Sequence, residues 1–428
     1  MFLALLRKEC MQYLKSVIYY IFIIYLILDF VVQMGVFDPV RQPEPGMEDY
    51  SQYGSVKAEN PELVMQAALD ELLAEYDRGE YTTYPIGFYK KFIPDEAERK
   101  EIRDILLNMT GLTEEELVKA YEDYANDVEM VISEAEEAGE LAIPGKDIPV
   151  MHINVSEGYT EEVFYKDMER LDTLLGGGSS YSETNLERGA EQSPTYEQAC
   201  KVYDDFIYRD KVTGAYARLF CDYEGITLAI ITVFLAVTRG LRDRRAQAEQ
   251  VIYAHRISSF RLILSRYLAG VIMAVIPVFA LSCSTMAQSV YYARHLGVEC
   301  DYLAFVRYIG FWLMPTILVT LSLGFFLTEF TDSAIAILVQ VVWWFVSLNS
   351  APSLISCSRF NLIPRFNDVV GYEIYEEMRP VILWNRCFFT ILAVVLLLLT
   401  VWVYDMKRKG VFVSVGTRIR NRKNKLEA

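Results

Sequence analysis

The chain has 428 residues, a formal net charge of −16, seven cysteines and three histidines. Acidic residues outnumber basic ones 57 to 41, which argues against nucleic-acid binding, and no CxxC pair or histidine cluster supports a zinc site. Length alone would suit two or three soluble domains, but the apolar residues are bunched into segments long enough to cross a bilayer. The charge is uneven too: Asp38 to Arg218 carries roughly 41 acidic and 17 basic residues, leaving about +8 elsewhere.

Residues 1–15 place Phe2, Leu3, Leu6, Cys10 and Tyr13 at helical spacing, with Arg7, Lys8 and Glu9 between them. That suits an amphipathic helix in the membrane interface, or an extension of the next helix. Residues 16–36 form the first expected span, with Asp29 its one charge. The run is too long, and lacks the A-x-A site, for a cleaved signal peptide, so it is expected to stay as an anchor.

Residues 37–218 read as a large, mainly helical extracytoplasmic domain entered through a linker holding Pro39, Pro43 and Pro45. Asn60-Pro61-Glu62 is a helix start with Asn at the N-cap and Pro at N1. Pro94–Met109, Thr113–Ala138 and Thr160–Leu175 are further helices, the last stopped by Gly176, Gly177 and Gly178. Val150–Val155 reads as a strand.

Five more spans are expected at 219–238, 267–292, 303–327, 333–348 and 387–404. In the second, Asp222 and Glu224 would sit at the outer headgroup level. Pro277 and Pro315 can kink their helices where neighbours satisfy the freed carbonyls. Residues 239–266 form a basic connector in two helical pieces, Asp243–Ala254 and one capped by Ser258. The outer loop 349–385 is too charged to cross and suits short helices at the membrane edge. The tail 405–428 is basic. Lys and Arg concentrate before the first span, in the connector and in the tail, which puts all three in the cytoplasm and residues 37–218 outside. The expected fold is an α-helical polytopic plasma-membrane protein of six transmembrane helices, with the extracytoplasmic domain between helices 1 and 2.

No chemistry-bearing motif appears. Gly145-Lys146 lacks the upstream glycine of a phosphate-binding loop, and there is no HExxH or nucleophile elbow. The chain therefore reads as no enzyme, with no catalytic, cofactor-binding or metal-binding residues. Asp29 stands either as a functional intramembrane acid or as a solvated position near the outer interface. Arg307 and Arg386 read as snorkelling anchors, and Trp343-Trp344 as packing or an interfacial pair. Of the cysteines, Cys200, Cys221, Cys300 and Cys357 would lie outside, where one disulfide among them is open.

The whole membrane portion resembles the membrane subunit of ABC-2 type exporters. The resemblance rests on the interface helix MFLALLRKECMQYLKS, six spans, the connector RDRRAQAEQVIYAHRISSFRLILSRYLAG, the inner turn TEFTDS and the ending LWNRCFFTILAVVLLLLTVWVYDMKRKG. It implies a permease that pairs with a second copy or a related permease and with a cytoplasmic ABC ATPase subunit. It also implies a coupling helix at about Asp243 to Arg256 that docks on the ATPase through Glu249, Gln250, Tyr253, His255 and Arg256. Ile257-Ser258-Ser259 stands where that family has a proline. Glu249, Tyr253 and Arg256 fall at i, i+4 and i+7 and would share one face of a continuous helix, with Tyr253 as its anchor.

Two other classes compete. One is a non-transporting receptor or scaffold whose outer domain binds a partner. The other is a secondary transporter, which the lack of midplane acids and internal repeats disfavours.

Overall fold

The computed structural model describes residues 2–47, 49–57, 60–85, 89–138, 151–183, 185–186, 191–350 and 354–412. The chain divides into two compact units, Asp49–Pro194 and the remainder. The expected extracytoplasmic segment, 37–218, is therefore wider than the compact unit within it. Residues 37–47 and 195–218 belong with the apolar helices, where Tyr216 Oη donates to the Asp38 carbonyl at 2.6 Å and Tyr292 Oη to that of Val40 at 2.6 Å.

In the larger unit, α1 (Phe2–Leu14) and α2 (Val17–Met34) are separate helices, broken where Ser16 takes an extended conformation. After α2 and the smaller unit's α3 (Pro61–Arg78), α4 (Glu96–Thr110), α5 (Glu114–Ala138) and α6 (Glu161–Leu174) come α7 (Tyr196–Asp204) and α8 (Thr213–Arg245). The connector holds α9 (Glu249–Ala254). The chain continues through α10 (Ser259–His295), α11 (Ala304–Tyr308), α12 (Met314–Thr331), α13 (Ile335–Asn349) and α14 (Tyr372–Arg408).

Among the described residues, five stretches are long and apolar enough to cross a membrane: α2, α8, α10, the run Ala304–Thr331, and α14. Their surfaces say the same. On α2 the buried Tyr19, Phe22, Leu26 and Phe30 recur at helical spacing, while Val17, Ile21, Ile24, Leu28 and Val32 are exposed and apolar. A helix apolar on all sides, with only one side covered, suits a lipid solvent. The chain is an α-helical, multi-pass membrane protein. The fifth expected span, 333–348, is the shorter apolar α13, whose 15 residues reach about 22 Å against a hydrocarbon core of roughly 30 Å.

Two helices run past the limits that hydropathy suggests. Helix α8 starts at Thr213 rather than near Leu219, and α14 at Tyr372 rather than Cys387. Charges end a hydropathy run, but here they are paired: Arg218 with Asp210 at 2.8 Å, and Arg379 with Glu376 at 3.1 Å. Asp222 and Glu224 are buried along α8. Asp222 accepts from Arg365 Nε at 3.1 Å and from the Phe366 amide at 2.7 Å. This ties down the loop after α13, whose strands Ile355–Ser356 and Arg365–Phe366 pair antiparallel and whose Leu362 and Ile363 join the helix core.

The smaller unit packs α3, α4, α5 and α6 around Leu69, Leu72, Ile105, Leu106, Met168 and Leu171. Its helix starts follow the sequence: the Asn60 side chain accepts from the Glu62 amide, and Asp95 and Glu98 form a capping box. The expected strand at 150–155 is absent. Val150 lies outside the described residues, and 151–155 form no strand; a side chain bonds their backbone instead. Gln66 donates from Nε2 to the Ile153 carbonyl at 2.7 Å and accepts from the Val155 amide at 3.1 Å. The phosphate-loop-like pair Gly145-Lys146 and the tail from residue 413 lie outside the described residues.

Candidate functional site

The connector between α8 and α10 is built by interruption. Helix α8 ends at Arg245, and Gln247 takes a positive φ of 53° that turns the chain. Six residues of helix follow, Glu249–Ala254, and His255 is extended. Ser258 then caps α10, its Oγ accepting from the Arg261 amide at 3.3 Å. The expected single piece Asp243–Ala254 is thus split, since Asp243–Arg245 complete α8. The face proposed for Glu249, Tyr253 and Arg256 does not form either: the helix stops at Ala254, so Arg256 leaves the i, i+4, i+7 series.

The end of α14 clamps this break. Arg408 donates from Nε to the Tyr253 carbonyl at 3.0 Å, from Nη2 to that of His255 at 2.6 Å, and from Nη1 to that of Ile257 at 2.5 Å. The Tyr253 carbonyl is one that the end of α9 leaves without an intrahelical partner, and the other two lie in the break that follows. Ser259 Oγ donates to Asp405 at 2.8 Å, and the Tyr253 ring meets Tyr404 edge-on at 5.5 Å. Tyr253 therefore packs inward, and burial pushes its hydroxyl pKa up. Glu249 is half-buried. Burial raises its carboxyl pKa, Arg244 opposing and Asp332 adding to the shift. What the connector presents outward is Gln250, Val251, Ala254, His255 and Arg256, with Val251 64% exposed. Val251, absent from the sequence-based set, is the apolar centre of that surface. It follows Gln250 in a helix too short for periodicity to show which side faces out.

Two ionic groups anchor the helices on either side. Arg244 pairs with Asp332, and Lys407 bridges Asp332 at 2.5 Å and Glu329 at 3.3 Å, joining the ends of α8, α12 and α14. Deeper, Arg239 pairs with Glu9 and Asp243, and Arg266 with Asp243, all but Asp243 being fully buried. This set ties α1 to α8 and α10.

Asp29, the other candidate, is half-buried on α2 and accepts from Thr227 Oγ1 on α8 at 2.7 Å. Three residues before Thr227, the buried Glu224 leaves Oε2 without a hydrogen-bond partner. Glu224 was not singled out by its sequence, where it marks a span's edge. Arg386 does not snorkel. It is fully buried and donates to the carbonyls of Trp312 and Leu362, to Thr316 Oγ1 and to Asn385 Oδ1. By contrast Arg307 is exposed and pairs with Asp301. Trp343 and Trp344 are packing residues: Trp343 lies 5.9 Å from the Phe389 ring, and Trp344 Nε1 donates to the Ile226 carbonyl at 2.9 Å. All seven cysteines are free thiols, so the open disulfide is not formed. Among the described residues no group of three or more His, Cys, Asp or Glu side chains could hold a metal ion.

Comparison with protein-family models, with curated proteins and with solved structures returned no match.

Proposed function

We propose that this chain is the membrane subunit of an ABC-2 type exporter, driven by ATP hydrolysed on a separate cytoplasmic subunit. The observation that carries the reading is the connector: a six-residue helix, set between two long apolar helices and held by Arg408, that turns Gln250, Val251, His255 and Arg256 outward. A short helix with an exposed apolar residue at its centre and polar neighbours suits docking into a groove. In this reading α13 completes six spans, both termini and the connector are cytoplasmic, and Asp49–Pro194 lies outside. Two copies, or this chain and a related permease, share two ATPase subunits.

The test is co-purification with an ABC ATPase encoded in the neighbouring reading frame, followed by ATPase assays in proteoliposomes. The chain alone should hydrolyse no ATP. The ATPase should co-purify with the wild type and be lost from a Val251→Asp variant that inserts at normal abundance. ATP hydrolysis that follows the isolated chain, or equal recovery of the ATPase with both variants, would refute the reading.

A further inference from the structure

At the end of the bundle where α8 begins, away from the connector, the helices enclose a cleft of about 570 Å³. Three segments build it, two of them irregular. A π-helical turn, Asp205–Arg209, runs into Lys211 and Val212, both with positive φ. Val212 (φ 60°, ψ −56°) is buried, and the Thr213 amide donates to the Lys211 carbonyl at 2.5 Å, closing a γ-turn of the rare hand. A β-branched residue holds that conformation only where its surroundings impose it. A second π-helical turn, Ile309–Leu313, forms the facing wall, and the first turns of α14 form the third. Single π turns and imposed backbone strain gather at functional sites.

Behind the lining residue Asp210 lies a buried cation. Arg218 is fully buried, pairs with Asp210, and lies between the rings of Phe366 and Tyr375, at 4.8 and 4.9 Å from their centroids. With Asp210 neutralised in this way, the lining holds four cations, Arg209, Lys211, Arg307 and Arg379, against the carboxylates of Asp301 and Glu376. Each cation has an acidic partner in hand: Asp205, Glu299, Asp301 and Glu376 respectively. The four side chains are 41–66% exposed, and exposed pairs of that kind are readily exchanged for a better anion. Arg209 also lies 4.4 Å over the Tyr372 ring, which orients its guanidinium.

The rim is apolar as well as cationic. Leu383 lines the cleft and is 51% exposed. Leu303 and Val306, also exposed, fall at i and i+3 with Arg307 at i+4, so they share its helix face. Cations beside exposed aliphatic side chains, at the end of membrane-length helices, match a ligand with an anionic head and an aliphatic tail. We propose that the cleft binds the anionic head group of a bilayer lipid, its acyl chains lying along Leu303, Val306 and Leu383. The site stands on the cleft and does not depend on the exporter reading.

The test uses the full chain purified in a non-ionic detergent and titrated with dioctanoyl phosphatidylglycerol, dioctanoyl phosphatidylcholine and inorganic phosphate, with binding read by native mass spectrometry and by thermal shift. Phosphatidylglycerol should bind at least about tenfold more tightly than either of the others. The double variant Arg307→Gln with Arg379→Gln should weaken its binding by about tenfold or more, each arginine offering a charge-assisted contact. Both arginines are exposed, so the variant should keep the wild-type melting temperature without lipid. A Leu383→Asn variant should weaken lipid binding while leaving phosphate binding unchanged. Equal affinity for phosphatidylcholine, equal affinity for inorganic phosphate, or undiminished phosphatidylglycerol binding in the double arginine variant would each overturn the proposal.

Discussion

Arg239 on α8 grips Glu9 on α1 with two prongs, Nε to Oε2 at 2.6 Å and Nη2 to Oε1 at 2.9 Å, across 230 residues of chain. Both side chains are 4% exposed, so this pair fastens an otherwise peripheral N-terminal helix to the bundle. Bidentate geometry makes it a strong contact while intact and a costly one to break, because a lone buried charge has no solvent to turn to.

Glu9→Gln is accordingly expected to destabilise the detergent-solubilised chain by about 3–5 kcal/mol, since Asp243 alone would then serve Arg239 and Arg266. Pairing Glu9→Leu with Arg239→Met should recover part of the loss. Thermal unfolding followed by tryptophan fluorescence is the measurement. A double variant less stable than Glu9→Gln would show that the pair is not acting as an ion pair.

Arg408 should control the order of the connector. Arg408→Gln removes most of the donors to the carbonyls of Tyr253, His255 and Ile257, and Arg408→Lys cannot reproduce a planar fork. Amide exchange in residues 249–259 should speed by about tenfold or more in both variants, as a locally anchored segment is released. Exchange in α3 and α4, in the other compact unit, should not change. Tyr253→Ala is expected to loosen the connector in the same way, through lost packing on Tyr404, rather than by removing an outward anchor.

Orientation can be read by thiol labelling on a background without the native cysteines. Cysteine placed at the exposed Ser133 should react with an impermeant reagent added outside, and one at the half-buried Ser182 should react more slowly. Cysteine at Ser258 should react only after permeabilisation, because the basic connector is expected to face the cytoplasm. Labelling of Ser258 in intact cells would reverse the topology.

Glu75 gives the smaller unit a pH dependence of definite sign. Burial raises its carboxyl pKa, with hydrogen bonds from Tyr181 Oη at 2.7 Å and from the Thr82 amide at 3.1 Å pulling the other way. Below the unfolded value both states hold the proton and the group has no effect. As pH rises toward the folded value, the unfolded chain releases its proton first, so stability falls, and the loss is complete above the folded value. Melting of the wild type from about pH 4 to 8 should show this decline, and Glu75→Gln should remove it. An identical slope in both would mean that Glu75 is ionised throughout.

The membrane character, the apolar helices and the helix starts at Asn60 and Ser258 are legible in the sequence because each is a local property: a run of hydropathy, or a side chain capping its own neighbour. Of the boundaries that hydropathy misplaces, the one at Thr213 goes with a charge neutralised in the buried interior, Arg218 against Asp210. The segment 151–155, which forms no strand, is bonded by Gln66, far away in sequence.

The candidate site divides along the same line. Its position between two long apolar helices, its basic charge and the cap that begins α10 follow from residues 239–266 alone, since helix breaks and caps are set by neighbours in the chain. Which of its side chains face out does not. A helix of six residues is too short for its periodicity to choose a side. The choice is made by Arg408 and Tyr404, about 150 residues downstream in sequence, which hold the Tyr253 side inward and leave Val251 facing out.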